Sequence, residues 1–114
     1  MNILINMPVF GQSGWEVVGR NLAIAFDKLG ISIQLIPKNS WNQESCFFID
    51  EDVERLNRMV SNRIPADSYY IFHQYPSMDV INSPTLRSAK KTYCLSIFET
   101  TRCPVPWVSL LNAM

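Results

Sequence analysis

Residues 2–36 carry the pattern that most constrains what this chain can fold into. Asn2–Met7 is a short run rich in Ile and Leu, apolar enough to be covered on both faces, and reads as a buried strand. Pro8-Val9-Phe10-Gly11-Gln12 follows as a turn. Ser13-Gly14-Trp15-Glu16 then has the form of a capping box, in which the Ser hydroxyl accepts from the Glu16 amide and the carboxylate reaches back. Trp15, Val18, Leu22, Phe26 and Leu29 recur at helical spacing and predict one apolar stripe, with Gly19 and Ala25 close to it and Gly30 as the stop. Glu16 and Arg20 are placed to pair on the outer face. Ile31–Ile36 alternates and ends at Pro37, so it predicts a second strand. Strand, helix and strand in about 35 residues make a βαβ unit, whose crossover is right-handed almost without exception.

The same alternation continues downstream. Asp50 can cap a second helix whose first turn is acidic (Glu51, Asp52), with Arg58 and Arg63 near its end, an arrangement that suits the helix dipole. Its apolar series, Val53, Leu56, Val60 and Ile64, is thinner, and Pro65 ends it. Ser68–Phe72 predicts a third strand, leading into His73-Gln74-Tyr75-Pro76. A short turn around Leu86 precedes a fourth strand over Lys91–Phe98. Pro104-Val105-Pro106 opens a last helical pattern in Trp107, Val108, Leu110, Leu111 and Met114. The fold class expected is therefore α/β, a Rossmann-like parallel sheet with flanking helices. The 114 residues read as a single, incomplete N-terminal domain, because the last apolar helix pattern has no polar end.

Composition removes several functional classes. Ten basic and ten acidic residues balance, and the basic ones are scattered apart from short groups such as Arg87–Lys90–Lys91, so nucleic acid is not an expected partner. No apolar run approaches the length of a transmembrane segment, and the first ten residues lack a basic signal-peptide region. Cys46, Cys94 and Cys103 form no CxxC pair. These features predict a cytoplasmic setting with reduced thiols. One histidine and dispersed cysteines offer no ligand spacing, so no metal site is expected.

The residues that could carry chemistry lie at the carboxyl ends of the strands, where ligands sit in open α/β sheets. Gly11, Ser13 and Gly14 stand before the first helix, where unsatisfied amides and the missing side chains would let a phosphate or sugar hydroxyl approach. The glycine spacing, G-x-x-G-x-x-x-x-G through Gly19, is neither the dinucleotide fingerprint nor the Walker loop. Pro37-Lys38 also occupies the place of a ribose-holding acid, which disfavours a dinucleotide site. These glycines have an equally simple explanation in turn formation and close helix packing. His73 follows the third strand and Glu99 the fourth. Either could serve as a catalytic group, Glu99 as a general base on a sugar hydroxyl, or could merely cap a loop or helix. Cys103 has no indicated partner base. Trp15, Trp41 and Trp107 suit packing better than stacking on a sugar, Trp41 least clearly.

Three stretches together resemble a known family. "MNILINMPVFGQSGWEVVGRNLAIAFDKLGISIQLIP" is similar to the first βαβ unit of GT-B glycosyltransferases of the glycosyltransferase 4-like group. "YYIFHQYP" resembles its third core strand, and "KKTYCLSIFETTRCPVPWVSLLNAM" resembles its segment with FE followed by P-x-x-W-V-x-x-L-N. The resemblance implies a metal-independent, cofactor-free transferase moving a sugar from a nucleotide-sugar donor to an acceptor hydroxyl. That acceptor would be a glycan, a lipid-linked sugar or a small molecule. It implies an acceptor-side domain in which Gly11, Ser13 and Gly14 form the loop near the donor phosphates, while His73 and Glu99 line the acceptor side. The donor-binding C-terminal domain is absent from these residues, which alone are not expected to turn over. Two other readings remain: a stand-alone α/β module holding a phosphorylated ligand, and a non-catalytic interaction domain. The unfinished apolar helix also predicts self-association through that edge.

Overall fold

The computed structural model describes residues 1–11, 13–38, 50–73, 82–95 and 105–112, the side chains of His73 and Leu111 excepted. Four strands, β1 (Asn2–Met7), β2 (Ser32–Pro37), β3 (Tyr69–His73) and β4 (Lys91–Leu95), form one sheet in the order β2-β1-β3-β4. Every pairing is parallel: Ile3 lies opposite both Ile33 and Tyr69, and Phe72 opposite both Asn6 and Cys94. Helices α1 (Gly14–Lys28), α2 (Asp50–Ser61), α3 (Pro84–Ser88) and α4 (Val105–Asn112) accompany it. This is the expected Rossmann-like α/β arrangement. In it the β1–α1–β2 unit sits where the sequence pattern put it, with β2 displaced by one residue to end on Pro37.

The two sheet faces are unequally covered. Odd-numbered Ile3, Ile5, Met7, Ile33 and Leu35 point to one side. There they form the main core with Ala23 and Ile24 of α1 and Leu56 and Met59 of α2. On the opposite side Tyr70 and Phe72 make a smaller cluster, against which Leu4, Leu86, Ala89 and Cys94 pack. Cys94 thus belongs to a packed, half-buried face and forms no disulfide.

Helix α1 is rotated from the expected stripe. Its buried residues are Gly19, Ala23 and Ile24, while Val18 and Leu29 are exposed, as is Ala25. The cause is steric. A β-carbon at Gly19 would collide with the Pro8 carbonyl oxygen and lie 3.2 Å from the Met7 β-carbon. The helix therefore approaches β1 along its small residues, with Leu22 and Phe26 filling the flank. Its far end is a Schellman motif. Ile31 N–H donates to Phe26 O (3.2 Å) and Gly30 N–H to Asp27 O (3.0 Å), and Gly30 adopts φ +79°.

Helix α2 also departs from its sequence pattern, burying Met59 with Leu56 while Val53 and Val60 are only half-buried. It is tied to α1 by Asp27, whose side chain is 8% exposed and accepts from Arg55 (2.9 Å) and Arg58 (2.6 Å). Those two guanidinium groups, Arg58 foremost, hold the Asp27 carboxyl below the usual carboxylate range against the opposing effect of burial. Beyond α2 the chain passes round the free edge of β2. Asn62 Nδ2 donates to Ile33 O (2.7 Å), and Gln34 Oε1, on the other sheet face, accepts from Ile64 N–H (3.2 Å). The first of these bonds occupies a backbone carbonyl that an uncovered edge strand would leave open to another chain.

Candidate functional site

The strand order creates a switch point between β1 and β3. From β1 the chain crosses by α1 to β2 on one side, whereas from β3 it proceeds to β4 on the other. Connections that diverge in this way open a crevice at the carboxyl edge of the sheet. The turn after Met7 and the end of β3 at His73 lie at that edge, since β1 and β3 are direct neighbours with Asn6 paired to Phe72. The topology thus brings the Gly11–Gly14 turn and the His73 backbone to one edge, as the sequence reading required. Nothing is described of the His73 side chain, and Glu99, Trp41, Cys46 and Cys103 lie outside the described residues.

Within the turn, each glycine has its own physical setting. Gly11 is buried, and a β-carbon there would come within 2.7 Å of Glu16 Oε1, the end of a flexible side chain. Gly14 is different: apart from its own helix backbone and chain neighbours, no atom of the described residues lies within 4 Å of a β-carbon built on it, and the residue is exposed. Packing explains Gly19 and, in part, Gly11, but it gives no reason for glycine at position 14. Among the described residues, the β-position of Gly14 at the first turn of α1 is therefore uncrowded.

Two local expectations are corrected here. Ser13 has the extended backbone of an N-cap (φ −67°, ψ 160°), yet its hydroxyl makes no capping bond, so that half of the capping box is not formed. It remains exposed beside Gly14. Arg20, expected on the outer face of α1, turns back under the loop instead. Its Nη1 donates to Val9 O and Gly11 O, each at 3.0 Å. The guanidinium therefore holds the turn by satisfying two carbonyls of a largely buried segment, where an unpaired carbonyl is costly. A basic residue six positions after the turn's last glycine was visible in the sequence, but helical periodicity alone assigned it to solvent.

Around the crevice, Lys38 N–H donates to Met7 O (3.2 Å), extending the β1–β2 ladder by one bond beyond Pro37. A lysine, exposed, thus occupies the position at the end of β2 where dinucleotide folds place an acid. On the second sheet face, Asn6 Nδ2 donates to the Tyr70 hydroxyl (3.0 Å), linking the two strands of the switch point. Burial pushes the Tyr70 phenol above its ordinary pKa, opposed by the Asn6 hydrogen bond. Among the described residues no group of three or more His, Cys, Asp or Glu is placed to hold a metal ion. None of the described helices is long and apolar enough to cross a membrane.

A separate cavity of about 310 Å³ opens on the second sheet face, bounded by Leu4, Ile36, Ile64, Tyr70 and Thr85 among others. It includes neither the glycine turn nor His73. Two of the serines that line it are engaged locally: Ser68 Oγ donates to Pro65 O, and Ser88 Oγ to Pro84 O. It reads as the gap between α3 and the segment following α2 rather than as part of the crevice.

No protein-family model matches the chain, and no curated protein or solved structure matches it at a significant level.

Proposed function

We propose that this chain is the acceptor-side part of a GT-B glycosyltransferase that moves a sugar from a nucleotide-sugar to an acceptor hydroxyl. The observation that carries the reading is Gly14, exposed at the start of α1 near the β1/β3 switch point, with nothing among the described residues crowding its β-position. A group with negative charge or several oxygens is favoured there by the helix amides, and the absent side chain permits close approach. The resemblance of the first βαβ unit, of "YYIFHQYP" and of the FE…P-x-x-W-V-x-x-L-N segment supplies the reaction class. On this reading Gly11, Ser13 and Gly14 border the donor phosphates, and His73 and Glu99 face the acceptor, Glu99 as the base. The groups that hold nucleotide and donor sugar would come from a second domain facing this one across a cleft.

The chemistry asked of these residues is limited. A carboxylate within hydrogen-bond reach of the acceptor hydroxyl would remove its proton as the sugar is transferred, and the helix amides would offset charge on the departing diphosphate. No metal is assigned to that task, since the resemblance implies a metal-independent transfer. The test is consumption of nucleotide-sugar by the full-length protein across UDP-, GDP-, dTDP- and CMP-linked donors with candidate acceptors. Release of the nucleotide that depends on acceptor supports the reading. Absence of release with every donor and acceptor overturns it.

A further inference from the structure

We draw no further inference here: the strongest candidate, the apolar cavity on the second sheet face between α3 and residues 64–66, is an incompletely covered sheet face, and nothing in the structure shows what covers it.

Discussion

Gly19 of α1 packs so closely on the carbonyl oxygen of Pro8 that a β-carbon at residue 19 would overlap it. This approach sets the distance between α1 and β1, and with it the position of the turn that opens the candidate crevice. Gly19→Ala should therefore destabilise the chain even though alanine is the better helix former. Overpacking of this kind costs about 1–3 kcal/mol. The helix propensity recovered is about 1 kcal/mol, so the net effect is a loss. Urea unfolding of the two proteins reads it directly, and equal midpoints would show that the helix shifts without cost.

Gly14 should behave in the opposite way. Its β-position is empty, so Gly14→Ala is expected to leave stability unchanged or to raise it by up to about 1 kcal/mol. The same variant in the full-length protein should weaken use of the nucleotide-sugar, since the new methyl enters the space assigned to the ligand. An unaltered kcat/KM would remove Gly14 from the site.

Asp27 gives the fold an acid-sensitive joint between α1 and α2. Its carboxyl pKa is lowered in the folded chain by the hydrogen bonds from Arg58 and Arg55. The resulting stabilisation is fully present above the unfolded value of about 4. It is lost as pH falls through the lower, folded value. Asp27→Asn should cost about 1–2 kcal/mol at neutral pH, because Arg58 is well exposed and its share is screened by solvent. Thermal melts between neutral and strongly acidic pH should show a smaller acid-dependent fall in the variant than in the parent. Parallel curves would mean that the joint contributes nothing.

Tyr70 makes the corresponding prediction at alkaline pH. Its phenol is raised by burial, so the neutral form is favoured in the fold. Stability from this group is present below the unfolded value of about 10. It declines as pH rises through the higher folded value. Of the four tyrosines, the one removed in Tyr70→Phe should be late to ionise in an ultraviolet titration. The variant should lose about 1 kcal/mol through the orphaned Asn6 amide. A wild-type titration with no late component would contradict this.

The layout of the sheet was legible because each strand carries its own signal. Asn2–Met7 buries Ile3, Ile5 and Met7 in the main core with α1 and α2, while Leu4 on its other face packs against the Tyr70–Phe72 cluster. Gly30 marks a helix end that needs positive φ. The rotation of α1 was not legible from hydrophobicity. The most apolar stripe, Trp15 to Leu29, lost to a path lined by Gly19 and Ala23, because backbone proximity to Pro8 decides that contact. Long-range polar links are hidden for a similar reason. Asp27 meets Arg55 and Arg58 across 28 and 31 residues, and Arg20 serves carbonyls at Val9 and Gly11, so helical spacing records only where such side chains start. In the site, the carboxyl-edge location of the glycine turn and His73 followed from their places after the first and at the end of the third strand of a parallel sheet. The role of Glu99 rests on sequence alone.

The central claim is that the crevice beside Gly14 belongs to a sugar-transferring enzyme, and nucleotide release by the full-length protein tests it most directly. The account predicts acceptor-dependent release from one class of nucleotide-sugar, with kcat/KM reduced at least tenfold in Glu99→Gln, as loss of a general base requires. No release from any donor with any acceptor would contradict it.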